Sequence, residues 1–145
     1  MADNTPDIAR ICQSAVALAD KHGESFDYTP ESITAAERML AGQNVAYKQG
    51  KLTDIYVWNL SVMIGVYIGQ TMMHCALSER GYRWRLDSDG VPMLSDGKDN
   101  YISPIYQVRK RITGNEDDNV RAFFEAVLDL ADGSYKNFIA NRPVS

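Results

Sequence analysis

The stretch Ile55-Tyr56-Val57-Trp58-Asn59-Leu60-Ser61-Val62-Met63-Ile64-Gly65-Val66-Tyr67-Ile68-Gly69-Gln70-Thr71-Met72-Met73-His74-Cys75-Ala76-Leu77 carries no formal charge from end to end. Its length would reach across a bilayer. Asn59, Ser61, Gln70, Thr71 and His74 are spread along it, however, which suits a helix buried nearly all round inside a folded domain better than one in lipid. Thr53 stands as its cap and Asp54 favours the positive end of its dipole. The expected helix therefore spans about 54–78 and forms the centre of the fold, with no membrane partner.

The flanking segments supply what such a helix packs against. Upstream, Thr5-Pro6 and Thr29-Pro30 repeat one start signal, a hydroxyl cap followed by a proline that tolerates the first helical turn. The first predicts a helix over 6–22, with Ile8, Ile11, Cys12, Ala15, Leu18 and Ala19 on one face and Gly23 at its end. The second predicts a helix over 30–49, bent or interrupted at Gly42.

Downstream, Gly81 changes the texture. Tyr82-Arg83-Trp84-Arg85-Leu86 alternates with period two, Asp87-Ser88-Asp89-Gly90 reads as a turn, and the chain returns over 91–94. A β-hairpin is expected over 82–94, Pro92 marking an edge strand, with a short third strand near Tyr101. Ser103-Pro104 then opens a helix over 104–113, and a last helix is expected over 117–132 on Val120, Phe123, Phe124, Val127 and Leu128. In the tail, Tyr135, Phe138 and Ile139 offer docking residues. The fold class is mostly α, about five helices with a small inserted antiparallel meander, in one domain over 1–145.

Composition narrows the function. The chain has 145 residues, 45% hydrophobic and 23% charged, an ordinary globular balance with a formal net charge of -4. That charge speaks against nucleic acid as a partner. Arg83, Arg85, Arg109, Lys110 and Arg111 would form a basic patch, but Glu79, Asp87, Asp89, Asp96 and Asp99 nearly balance the region. The start, Met1-Ala2-Asp3-Asn4, has neither a basic nor an apolar leader, so the cytoplasm is the expected compartment. Cys12 and Cys75 are expected as buried free thiols.

No residue pattern specifies catalysis, a metal or a cofactor. His22, at the end of the first helix, fits a cap, and His74 cannot face its neighbour Cys75 on a helix. A Cys–His pair would have to recruit Cys12. Asp87-Ser88-Asp89-Gly90 matches only the opening of a calcium loop. Gly65 and Gly69 lack the strand–turn–helix setting of a phosphate loop. With Ser61 they instead make a smooth strip at four-residue spacing. The strip accepts either another helix backbone or a ligand in a groove, with Tyr67 and Gln70 as polar contacts. Glu116, Asp117, Asp118, Glu125, Asp129 and Asp132 give the last helix an acidic character.

Three stretches carry a family likeness: Gly65-Val66-Tyr67-Ile68-Gly69-Gln70, Gly81-Tyr82-Arg83-Trp84, and Ile102-Ser103-Pro104 leading into Val108-Arg109-Lys110-Arg111. Over about 67–130 the chain resembles an uncharacterised bacterial domain family of unknown function, with Gln70 where that family's pattern has glutamate. The resemblance implies a helix followed by a tryptophan-bearing hairpin and a proline-led helix, and implies no chemistry. In size, acidity and lack of an active-site pattern the chain is also similar to bacterial immunity proteins that neutralise toxins.

The expected function is thus a non-catalytic bacterial interaction protein, an immunity-type inhibitor of a cognate toxin or effector. Its contact residues would be Trp58, Trp84, Tyr82, Asp117, Asp118, Asp129 and Asp132, with Tyr56 a further aromatic anchor. The alternative is a small-molecule or peptide binder using a groove along Ser61, Gly65, Tyr67, Gly69 and Gln70. The oligomeric state is left open.

Overall fold

The computed structural model describes residues 6–132. Five helices and a three-stranded antiparallel sheet follow in the order α1 (Ile8–Lys21), α2 (Pro30–Lys48), α3 (Asp54–Met72), β1 (Arg83–Leu86), β2 (Pro92–Ser95), β3 (Tyr101–Ile102), α4 (Pro104–Thr113) and α5 (Val120–Asp132). Thr5 and the tail residues Tyr135, Phe138 and Ile139 lie outside the described residues.

The central helix is where the uncharged stretch placed it. Thr53 accepts from the Tyr56 amide through its Oγ1 at 3.1 Å and starts α3. The helix packs between α1 and α4. Val57, Leu60, Ile64, Val66, Tyr67, Ile68 and Met72 are all buried, as expected of a helix apolar on most sides. Its hydroxyls turn inward without penalty, because Ser61 donates to Val57 O at 2.7 Å and Thr71 to Tyr67 O at 3.0 Å. The stretch remains long and apolar enough to cross a membrane by composition, and 61% of its most apolar window is buried inside this fold. It does not stay α-helical to Ser78. Met73–Leu77 is a π turn, Ser78–Arg80 a 3-10 turn, and Gly81 at φ 83° ends the run.

Several boundaries differ from the sequence reading, each for a local reason. Helix α1 starts at Ile8 because the Asp7 carboxylate accepts from the Arg10 amide at 3.1 Å. Gly42 does not interrupt α2, which runs on to Lys48, and a Cβ there would meet nothing within 4 Å. The acidic run is not the first turn of the last helix: Glu116–Asp118 is a separate 3-10 turn. The cap of α5 is Asn119, whose Oδ1 accepts from the Arg121 and Ala122 amides.

The sheet has strand order β1-β2-β3, so β2 is its central strand rather than an edge. Pro92 is tolerated because β3 reaches only Leu94 and Ser95, which leaves Pro92 paired on one side alone, opposite Leu86. Asp87-Ser88-Asp89-Gly90 is the expected hairpin turn, with Asp87 Oδ1 accepting from the Asp89 and Val91 amides.

The core has two parts. The larger joins Ile33, Ala36 and Leu40 of α2, Ile64, Ile68 and Met72 of α3, Val108 and Ile112 of α4, and Phe124 of α5. A smaller one gathers Cys12, Val66, Val91 and Ile105. Both cysteines are free; Cys12 is buried, whereas Cys75 is exposed on the π turn, contrary to the expectation of two buried thiols.

Candidate functional site

The glycine strip is occupied. A Cβ at Gly65 would lie 2.6 Å from the Cα of Ile105, so α4 crosses α3 almost backbone to backbone. A Cβ at Gly69 would lie 2.5 Å from the ring of Trp84 and 3.2 Å from Pro104. Ser61, Gly65, Tyr67 and Gly69 are buried, and Gln70 accepts from the Trp84 indole N–H at 2.9 Å. The groove that the four-residue spacing allowed is therefore filled by α4 and the hairpin. Tyr67 is a core residue: its ring stacks on Phe26 at 4.3 Å, and its hydroxyl meets Ser32 at 2.6 Å and the Tyr28 amide at 2.8 Å.

The remaining named residues fall into two groups. Trp84 is committed to the Gly69 contact and Tyr82 is buried. Asp118 lies 3.8 Å from Lys110 Nζ. Asp129 is exposed on α5, and the side chain of Asp132 lies outside the described residues. Trp58 and Asp117, by contrast, line two hollows on neighbouring parts of the surface.

The first hollow, about 470 Å³, is lined by Tyr47, Asp54, Val57, Trp58, Arg109 and Thr113. The second, about 360 Å³, is lined by Asn44, Lys48, Asn115, Glu116 and Asp117. They flank one another because Asn44, Tyr47 and Lys48 share the last turns of α2, and Thr113 precedes Asn115 by two residues. Trp58 is half-buried, set against Tyr106 with ring centroids 6.0 Å apart. Arg109 lies over its ring at 5.8 Å, a cation–π contact at the rim of the hollow. Ile55, one helical turn before Trp58 and on the same side of α3, is 75% exposed. Tyr56 is exposed too, but two residues from Trp58 it points to another side of the helix.

The walls of this face are tied together by contacts that sequence reading missed. Arg111, expected in a basic patch, is buried at the α2–α4 crossing, where Nη2 pairs with Glu37 at 2.8 Å and Nε with the same carboxylate at 2.9 Å. Glu37 also accepts from the Val120 amide at 3.1 Å, so one carboxylate ties α2, α4 and α5 together. Asn44 donates to the carbonyls of Ile112 and Gly114 at 2.8 and 2.9 Å, closing the end of α4. The signal for Arg111 was present: it follows Val108 by three residues and adjoins Ile112, on the apolar side of α4.

Among the described residues, neither a histidine nor a cysteine lines this face. The Cys12 thiol is pushed up to about 11, chiefly by burial and against a hydrogen bond from Tyr28, which leaves it protonated and unreactive at neutral pH. His74 meets the edge of Tyr28 at 5.3 Å, and Tyr28, not His74, contacts Cys12. His22 caps α1, its Nδ1 2.9 Å from Leu18 O. Among the described residues no group of three or more His, Cys, Asp or Glu side chains converges as metal ligands would. Comparison with known proteins returns no match among family models, curated proteins or solved structures. The family likeness therefore rests on the three quoted stretches alone.

Proposed function

We propose that this chain is a non-catalytic binding domain, an immunity-type inhibitor that docks on a cognate toxin or effector protein through the face around Trp58. The observation that carries the reading is the setting of Trp58. It is half-buried against Tyr106, overlaid by Arg109 and flanked by the exposed Ile55, which amounts to an aromatic anchor beside an uncovered aliphatic side chain. Tryptophan, tyrosine and arginine dominate the energetics of protein interfaces, usually from rigid settings of this kind. Asp54, Glu116 and Asp117 around the two hollows suit a partner that presents lysine or arginine opposite them.

A small-molecule reading has one observation in its favour, the volume of the larger hollow, which falls within the range of ligand sites. Such sites are mostly apolar and enclosed. Here Asp54, Arg109 and Thr113 make up half the lining, so a protein surface is the better occupant.

The test is retrieval of the partner from the native host with tagged wild-type chain, Trp58→Ala and Tyr101→Ala. Tyr101 is 69% exposed on β3 and serves as the control. The reading expects one stoichiometric protein whose activity falls when the chain is added. Trp58→Ala should weaken its binding by about 30-fold or more, the loss of roughly 2 kcal/mol typical of an anchor, while Tyr101→Ala binds normally. Equal binding by all three forms, or no partner at all, refutes it.

A further inference from the structure

The connection between α1 and α2, residues 23–29, lies against both parts of the core, and its middle, 25–28, is held by side chains. Glu24 donates its amide to Ala19 O at 2.9 Å, but among the described residues no backbone–backbone hydrogen bond holds 25–28. Phe26 is buried against the ring of Tyr67. The Tyr28 amide donates to the Tyr67 hydroxyl, and the Tyr28 side chain packs against the cluster that holds Cys12 and hydrogen-bonds its thiol. At its start, Glu24 forms a two-toothed ion pair with Arg38 of α2, at 2.9 and 2.8 Å, on the exposed surface.

One residue in this connection is strained. Tyr28 has φ 63°, a left-handed conformation, and is the only residue other than glycine with positive φ among those described. A bulky aromatic pays for that conformation with intrinsic backbone energy, and it persists only when surrounding contacts over-determine it. Here the contacts are the hydrogen bond to Tyr67 and the ring's packing against Cys12, Tyr67 and His74. Strain at the centre, few backbone bonds and an exposed ion-pair clip are the features of a segment that opens below the free energy of global unfolding.

We infer that residues 24–28 form a strap that opens as a unit while the helices stay folded, uncovering Cys12 and the ring of Tyr67. Opening relaxes Tyr28 to an ordinary backbone conformation and breaks the clip to Arg38. Helices α1 and α2 need not separate, since each keeps its own capping: His22 at the end of α1 and Thr29 at the start of α2. Cys12 then becomes a built-in reporter, because it is closed off in the native state and lies under Tyr28.

The experiment follows Cys12 modification by a thiol reagent in full-length chain carrying Cys75→Ser, the exposed thiol being removed so that one site reports. Rates are measured across low urea and compared with global unfolding followed by circular dichroism. The strap reading expects labelling about tenfold or more faster than global unfolding allows, with little urea dependence. Two variants separate local from global opening. Asn44→Ala, remote from the strap, should lower the unfolding midpoint yet leave the labelling rate unchanged. Glu24→Gln should speed labelling by about two- to fivefold, as loss of an exposed pair allows. The inference is overturned if labelling follows global unfolding in rate and urea slope, if Asn44→Ala speeds it in proportion to lost stability, or if Cys12 stays unlabelled until the chain unfolds.

Discussion

Replacing Gly65 by alanine sets two well-measured effects against each other. In a helix interior alanine is favoured over glycine by about 1 kcal/mol, so on propensity alone the substitution stabilises α3. The new methyl, however, would sit 2.6 Å from Ile105 Cα, 2.9 Å from Ile105 N and 2.9 Å from its Cγ1. Ordinary carbon contacts lie near 3.5–4.0 Å, so α4 must retreat by roughly 1 Å. Two of the three atoms are backbone, so no rotamer change relieves the clash. Overpacking of this kind costs about 1–3 kcal/mol, and a backbone clash belongs at the upper end. The net expectation is a loss of about 2 kcal/mol, or roughly 4–8 °C in Tm for a chain of this size. Gly42→Ala is the matched control: it also lies within a helix, and its Cβ would meet nothing within 4 Å. It should gain about 1 kcal/mol. Urea unfolding followed by circular dichroism reads both variants. Gly65→Ala as stable as wild type, with Gly42→Ala behaving as expected, would refute the close crossing of α3 and α4.

Other outcomes follow from the same geometry. Glu37→Ala strands the buried Arg111 guanidinium and releases the Val120 amide, so it should destabilise by about 3–5 kcal/mol, read as a fall in the urea midpoint. Glu37→Gln should recover little of that loss. Asn44→Ala leaves the carbonyls of Ile112 and Gly114 without their donor and should cost about 1–3 kcal/mol in the same assay. Folding raises the Cys12 thiol from 9.0 to about 11. Its contribution is therefore intact below pH 9 and is lost as pH rises from 9 toward 11, because the unfolded chain ionises first. About 2 kcal/mol should disappear across that window, and Cys12→Ala should flatten that part of the stability–pH curve. At the acid end, the Glu24 carboxyl is held below its ordinary 4.5 by the Arg38 hydrogen bond. Its contribution is present above pH 4.5 and is lost as pH falls through the lower folded value, a dependence that Glu24→Gln removes.

The helices were legible because their signals are local. Thr29-Pro30 and Ser103-Pro104 mark starts at Pro30 and Pro104, and the uncharged run from Ile55 fixes the buried helix. What sequence spacing cannot carry is the identity of the neighbour. Ser61, Gly65 and Gly69 announce a close approach, but a ligand and a helix produce the same strip; only the meeting of Gly65 with Ile105 and of Gly69 with Trp84 decides it. Pairings between residues remote in sequence stay hidden for the same reason. Nothing near Glu37 points to Arg111 or to the Val120 amide, and nothing near Asn44 points to the end of α4. Of the candidate contact residues, Trp58 and Asp117 were visible as residue types. Arg109 and Tyr47 become part of the face only once α2, α3 and α4 are assembled around it.

The central claim is that a protein partner sits on α3 beside Trp58. Incorporation of a photo-crosslinking amino acid at position 55, with position 122 on the exposed side of α5 as comparison, tests it most directly. Irradiation in the native host should join position 55 to one protein in high yield, with position 122 silent, and that protein's activity should fall when the chain is added. Crosslinking from position 122 alone would move the interface to the acidic surface of α5, and no adduct at either position would contradict the binding role itself.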